Sequence, residues 1–439
     1  MEYILRFTEG LFSEMLPFAL LIFAGVYLTV KSRFFQFKFL PFSLKYALFG
    51  NFGKGKNENE PIKAACTALS ATVGTGNIAG VAGAVSLGGA GAVFWMWLTA
   101  FAGMIVKVSE ILLGIRYRQK TDEGYTGGPM YYIRYGLPKV FSPLAVLFAA
   151  AGIPAVFCSG NITQTNAAVL SAGQGTAVKI VGGVLFAVVT AAVVIGGSER
   201  IGNFTEKLVP FMALLYIALC MGVILKNADY LPTAFKMIVK GAFNPAAVTG
   251  GAVGSFTAAA LTGASRGVFS NEAGLGTSAM AHSSSRETDG VKQSLYGIFE
   301  VFVDTIVICS LTALTLLCSR TDITYGSISS TELVVKAFSC VYGKSSGFIL
   351  SAMMCLFGIS SVIGWGLYGT VCSEFLFGTA GKRIFHTVYP AFCIVGALCS
   401  AQTAWRFSAF FNGIMLCVNV PCVLLFSHNV TESFKNFPK

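Results

Sequence analysis

Apolar stretches of around twenty residues recur between residue 11 and residue 426, separated by short segments that hold most of the charge. A helix crossing a bilayer needs about 20 consecutive apolar residues. The pattern predicts eleven such helices, roughly 11–30, 64–86, 90–114, 143–170, 179–197, 206–225, 247–281, 295–318, 346–374, 384–402 and 405–426. Alternation over about ten residues, the mark of a membrane barrel, is not the rule. The chain therefore reads as an all-α polytopic membrane protein, because helices satisfy their own backbone in lipid. The first stretch is long enough to span and has neither a basic leader nor an A-x-A site, so it is expected to stay as a helix rather than act as a cleaved signal.

Two spans are interrupted by polar residues. Leu69-Ser-Ala-Thr-Val-Gly-Thr-Gly-Asn-Ile-Ala-Gly80 places three glycines among hydroxyls and an amide, and Arg266-Gly-Val-Phe-Ser-Asn-Glu-Ala-Gly-Leu-Gly276 does the same later. Each predicts a broken helix. With the first span set aside as an extra helix, the interruptions fall in the first and sixth of ten core spans. Those are corresponding members of two five-helix halves, 64–225 and 247–426, as in an inverted-repeat transporter. Small residues also allow close helix packing, which is the better account of Gly80 and Gly83–Gly91. Packing alone does not account for Gly74-Thr-Gly76-Asn77, where an amide and hydroxyls are buried at the same point.

Charge sets the orientation. Seven basic residues (Lys31, Arg33, Lys38, Lys45, Lys54, Lys56, Lys63) lie between the first two spans, so this connection is expected inside the cell and the N-terminus outside. Carried along the chain, this orientation assigns twenty basic residues to cytoplasmic segments and eight to outer ones, with the C-terminus cytoplasmic in the cell membrane.

Composition agrees with this reading. The 439 residues are 54% hydrophobic and 12% charged, against about 25% charged in soluble domains, and mean hydropathy is +0.70. The net charge of +11 follows from loop topology rather than from nucleic-acid binding. Twelve cysteines form no C-x-x-C pair and fall mostly in apolar spans, and three histidines (His282, His386, His428) are not spaced as zinc ligands.

The run Val73-Gly-Thr-Gly-Asn-Ile-Ala-Gly-Val81, followed by Phe94-Trp-Met-Trp97, Gly127-Gly-Pro-Met-Tyr-Tyr132 and Ser270-Asn-Glu-Ala-Gly-Leu-Gly276, closely resembles the alanine or glycine:cation symporter family over about residues 60–430. The resemblance implies a sodium-coupled amino-acid symporter with a LeuT-like fold, ten core helices in 5+5 inverted repeats plus one extra N-terminal helix, working in the bilayer as a monomer. Sodium is then cargo, and no organic cofactor is expected.

A zwitterion in the membrane needs its charges satisfied without water. Unwound helices offer amides at one half-helix end and carbonyls at the other. The amides of Gly74, Thr75 and Gly76 are assigned to the substrate carboxylate, with Asn77 ordering the loop or touching substrate. Phe269, Ser270 and Asn271 are assigned to the ammonium. LeuT-like amine carriers place an aspartate in the first break; Ala71 and Thr72 here favour a substrate that brings its own carboxylate, with Thr72 on the substrate side. The resemblance further implies substrate contact by Gln164, with interhelical bonding as the equal alternative, and places Trp365 and Tyr368 as walls or ordinary bundle aromatics. Asn166 reads as interhelical glue.

For sodium, the family fold implies a site between the first and eighth core helices. Ser360 and Ser361 would supply hydroxyls, and Ser70, Val73 and Phe357 carbonyls. The family commonly has Ser-Thr where Ser360-Ser361 stands. Membrane serines also satisfy their own helix carbonyls, the alternative at this pair.

Among charged residues within spans, Lys107 and Glu110 stand at i,i+3 and are expected to pair. Arg266 and Glu272 flank the second break, where Glu272 has a gating or a structural role. At least one of Glu300 and Asp304 needs a donor or cation partner. The leading functional reading is sodium-driven import of alanine or glycine, D-alanine included. Glutamine carriers with similar motifs and, more remotely, an ion channel are the alternatives, and an enzyme is not expected.

Overall fold

In the computed structural model, residues 15–49, 60–121, 124–249, 256–323, 325–326 and 330–437 are described. Residues 11–14 of the first span, residues 250–255 of the 247–281 span, and Lys54 and Lys56 lie outside them. The chain is helical almost throughout. Seven helices among the described residues are long and apolar enough to cross a membrane, and two bent pairs bring the number to nine.

Helix α1 (Leu16–Lys31) is followed by α2 (Phe35–Phe49), turned by 87°. Arg33 and Phe34 make this turn in the left-handed region, φ 57° and 62°, while the amides of Ser32 and Phe34 return to Leu28 and Thr29. The sequence reading had only a loop here. The charged positions that mark the cytoplasmic connection, Lys38 and Lys45 among them, lie on a helix rich in phenylalanine, which buries Gln36 and Ser43 and leaves Phe37 and Phe42 exposed.

The first broken span consists of α3 (Glu60–Thr72), a single tight turn Thr75–Asn77, and α4 (Ala79–Gly88), with a bend of 56° across the break. Next come α5 (Ala92–Tyr117), a small antiparallel hairpin of β1 (Gln119–Thr121) and β2 (Gly124–Thr126), and α6 (Pro129–Gly136). The third core span joins α7 (Ser142–Ala155) to α8 (Thr163–Ala172) through a π-helical segment, Val156–Ile162. The helices α9 (Thr176–Val194), α10 (Gly197–Lys226) and α11 (Leu231–Phe243) follow.

The second broken span consists of α12 (Phe256–Asn271) and α13 (Thr277–Ser283), separated by five residues. After it, α14 (Gly290–Val301) passes through a second π-helical segment, Phe302–Cys309, into α15 (Ser310–Cys318). α16 (Ser330–Tyr342), α17 (Ser346–Leu398), α18 (Ala401–Leu425) and α19 (Ser427–Lys435) finish the chain. Gly378, at φ 64° and ψ −154°, breaks α17 into two helices.

Burial separates the helices. In the most apolar stretch of α5, 89% of residues are buried, whereas in α9 only 28% are. Such an α5 is an interior element, and α9 shows Ile180, Val181, Leu185 and Val188 outward, as expected of a helix that faces lipid. Both broken spans pack against the interior of the bundle, α12 and α13 on α5 and α3 on α17.

Two helix breaks around one cavity

The first break begins where the Val73 amide closes the last turn of α3 on Leu69. Gly74 is extended, and its amide donates to Asn77 Oδ1 at 2.8 Å. The Thr75 amide (3.0 Å) and hydroxyl (2.8 Å) both donate to Gln164 Oε1. Gln164 reaches inward because its Nε2 is held by the Ser159 carbonyl at 3.2 Å, an acceptor in the π-helical segment. Glycine at 74 permits this closeness: a Cβ there would sit 2.3 Å from Ser361 Oγ and 2.8 Å from Gln164 Oε1.

The second break is narrower than its sequence suggested, since α12 keeps its helix through Asn271. Phe269, Ser270 and Asn271 therefore form its last turn, where carbonyls lack intrahelical partners. Glu272, Gly274 and Gly276 follow with φ of 56°, 88° and 74°.

Here the expected Lys107–Glu110 pair is not formed. Lys107 Nζ donates to the Asn271 carbonyl at 2.9 Å and pairs with Glu300 Oε2 at 3.1 Å. Glu110 Oε1 accepts from the Gly276 amide at 3.2 Å and from Asn419 Nδ2 at 2.6 Å. The reason is the dipoles of two half-helices: the cation caps the negative end of α12 and the carboxylate the positive start of α13. Those ends exist only once the span is broken, so the i,i+3 spacing on α5 serves two targets instead of one another.

Asp304, in the second π-helical segment, ties the breaks together. It accepts from Asn77 Nδ2 at 2.6 Å on one oxygen, and from the Ser270 (2.8 Å) and Thr305 (2.7 Å) hydroxyls on the other. Asn77 Nδ2 also lies 3.1 Å from Ser270 Oγ, and the Thr312 hydroxyl donates to the Asn77 carbonyl at 2.8 Å. Glu300 is held by Lys107, His282 (2.5 Å) and Ser278 (3.3 Å). Both acids of the i,i+4 pair thus have partners.

Between the breaks is a tight cavity of about 10 Å³, lined by Ala71, Thr72, Gly74, Gly76, Gln164, Phe269, Ser270, Glu272 and Trp365. Six of the residues singled out from the sequence for substrate meet there with Trp365. Thr75, Asn77 and Asn271 do not line it; their polar groups order the breaks, Asn271 Oδ1 accepting the Ala273 amide at 3.0 Å. Trp365 reaches the cavity wall because residue 160 is glycine, where a Cβ would come within 2.2 Å of the tryptophan Cβ. Asn166 bonds the carbonyls of Gly396 (2.9 Å) and Cys399 (2.8 Å) and so bridges helices.

Beside the first break, α17 approaches α3 closely at Gly364, where a Cβ would be 2.3 Å from Ser70 Oγ. Ser361 donates to the Ala71 carbonyl at 3.2 Å. Ser70 donates to Thr67 O at 2.7 Å. Ser360 Oγ is buried with no hydrogen-bond partner, and Val73 and Phe357 are fully buried. Among the described residues no group of three or more acidic, cysteine or histidine side chains could hold a metal ion; the oxygens gathered here are neutral.

The profile of the sodium:alanine symporter family matches residues 1–439. The chain belongs to this family. Among its relatives are the sodium/alanine symporter AgcS of Methanococcus maripaludis, 38% identical over 95% of this chain and 93% of that protein. The probable sodium/glutamine symporter GlnT of Bacillus subtilis is 33% identical over 100% and 91%. The putative sodium/proton-dependent alanine carrier protein YrbD of the same organism is 32% identical over 96% and 89%. Among solved structures, MhsT in complex with L-phenylalanine matches with a TM-score of 0.58 at 12% identity, over 85% of this chain and 95% of that one. The fold is accordingly LeuT-like. Membership in the sodium:alanine symporter family makes the protein a multi-pass membrane transporter and not an enzyme, with an amino acid and sodium as its transported partners.

Sequence reasoning missed Asp304 as the link between breaks and Lys107 and Glu110 as caps of the half-helices. Asp304 was visible as a charge in an apolar span, but no residue pattern marks a π-helical segment.

Proposed function

We propose that the protein imports a small neutral amino acid, alanine or glycine with D-alanine included, together with sodium by alternating access. The observation that carries this reading is the shared cavity: Thr72, Gly74 and Gly76 of the first break face Phe269 and Ser270 of the second across a small space. In this reading the amides of Gly74 and Thr75, held here by Asn77 Oδ1 and Gln164 Oε1, exchange those acceptors for the substrate carboxylate, beside the Gly76 amide. Gln164 Oε1, now accepting from Thr75, marks where an acceptor oxygen fits. The carbonyl end of α12 meets the ammonium, with Asn77 and Asn271 holding the geometry. The absence of an acid from Leu69–Gly80 favours a substrate with its own carboxylate.

Sodium would be held by Ser360 and Ser361 hydroxyls with carbonyls of Ser70, Val73 and Phe357. The orphaned Ser360 hydroxyl supports this, because a buried hydroxyl without a partner is costly unless a ligand engages it. The two breaks would be equivalent members of inverted repeats, 64–225 and 247–426, in a carrier that works as a monomer. The 20-to-8 distribution of basic residues supports an outer N-terminus and a cytoplasmic C-terminus.

The relative named as a probable sodium/glutamine symporter supports a second reading, in which the cargo is glutamine. Uptake of labelled alanine, glycine and glutamine into proteoliposomes under imposed sodium, potassium and proton gradients decides between them. Alanine or glycine uptake that follows only the sodium gradient is expected. Equal uptake under every gradient overturns sodium coupling, and uptake of glutamine alone overturns the substrate.

A further inference from the structure

Four carboxylic acids, Glu110, Glu272, Glu300 and Asp304, are buried around the second break, accompanied by two buried bases, Lys107 and His282. Even with both bases charged, the acids would leave two negative charges in excess, and uncompensated charge is strongly disfavoured inside a membrane. At least two of these acids therefore hold protons until a cation arrives.

The hydrogen bonds sort them. Glu300 lies between Lys107 and His282 and accepts from Ser278, which suits a carboxylate. Asp304 accepts from three donors, which suits a carboxylate as well. Glu110 takes two donors on one oxygen and has no partner on the other. Glu272 accepts the Thr277 hydroxyl at 2.7 Å. Glu110 and Glu272 are thus the proton holders, and only Glu272 lines the cavity, next to Phe269 and Ser270.

A cation, Lys107 of α5, and an anion, Asp304 of the second π-helical segment, act on the Glu272 charge with opposite effect. From α17, the fully buried Tyr368 lies near it. Arg266 lies over the Trp405 ring at 4.4 Å.

We infer that Glu272 is a substrate-binding residue that holds a proton in the unloaded carrier and releases it when the substrate ammonium and sodium enter. This rests on the reading of a zwitterionic amino acid and sodium as cargo. The proton leaves the Glu272 carboxyl for solution, and the resulting carboxylate faces the ammonium without bonding covalently to it. Gaining one sodium and one zwitterion while losing one proton keeps the net charge of the buried site constant. Loading is thereby linked to pH: a proton lost on binding makes affinity rise with pH, by at most tenfold per pH unit for one proton.

The test uses the full-length protein in detergent, with labelled L-alanine binding measured between about pH 5 and 8 at fixed, sub-saturating sodium. A pH-indicating dye in weakly buffered solution counts protons on addition of L-alanine and sodium chloride. Expected are a rise in alanine affinity with pH approaching tenfold per unit, release of up to one proton per carrier, and an affinity flat in pH for Glu272→Gln. Should that variant fail to fold, the proton count on the wild type decides alone. Bound alanine with no proton released at any pH, or Glu272→Gln with the wild-type slope, overturns the inference while leaving the cargo reading intact. No binding of any small neutral amino acid in sodium overturns both.

Discussion

Ser360 and Ser361 are neighbours on one helix and are differently engaged: Ser361 donates across to α3, whereas Ser360 has no partner. Removing the Ser360 hydroxyl costs the fold no hydrogen bond, so Ser360→Ala is expected to leave thermal stability unchanged. It should raise the sodium concentration for half-maximal uptake about tenfold, the equivalent of ~1.4 kcal/mol. Sodium titration of alanine uptake beside a melting curve checks this, and unaltered sodium activation removes Ser360 from the ion site. Gly160 gives the opposite kind of test. A methyl there meets the Cβ of Trp365, which cannot swing away without moving its helix, so Gly160→Ala should destabilise by about 1–3 kcal/mol and distort the cavity wall. Its melting temperature should fall, and alanine uptake should fall with it.

At the scale of elements, the second broken helix is stabilised from outside itself. Lys107 and Glu110 cap its two halves from α5, and Lys107 also neutralises Glu300. Lys107→Met leaves the Asn271 carbonyl and part of the Glu300 charge uncompensated, an expected loss of about 3–5 kcal/mol. The double variant Lys107→Met, Glu300→Gln should recover part of that loss, since it removes the stranded charge. Melting temperatures of the two variants measure the coupling. Both breaks were readable in the sequence because glycines, hydroxyls and an amide inside an apolar run have no other economical placement. What they bonded to was not. The choice of Lys107 and Glu110 to serve opposite half-helices, rather than each other, depends on dipoles that tertiary structure creates. The π-helical segments holding Ser159 and Asp304 are made of the same apolar residues as the helices around them, and α2 was hidden because its lysines read as a loop.

Over the whole molecule, two sets of helices interlock. The broken spans α3–α4 and α12–α13 are bound to α5 and, through Asp304, to the segment joining α14 and α15. A second set forms where α8 and α9 pack on α17. The cavity and the proposed ion site have residues from both: Thr72 and Ser270 from one, Gln164, Trp365, Ser360 and Ser361 from the other. Ligands at such a boundary favour the arrangement that brings both sets onto them, so sodium and alanine should raise each other's affinity by the same factor. Measuring alanine binding as sodium is varied, and sodium binding as alanine is varied, checks that equality; independent affinities contradict it.

The right-angled turn between α1 and α2 has a mechanical consequence for such a carrier. α1 packs on α5 and α18, and α2 reaches α14 through a bond from the Ser43 hydroxyl to the Leu295 carbonyl at 2.7 Å. With α1 along the bilayer normal, the turn of 87° would lay α2 along the membrane surface with Phe37 and Phe42 exposed. Sliding along the membrane normal would drag these rings into water or into the acyl chains, whereas tilting about the foot would not. In that setting the α1–α2 elbow would act as a depth stop, leaving the attached helices free to swing and resisting their travel in and out of the bilayer.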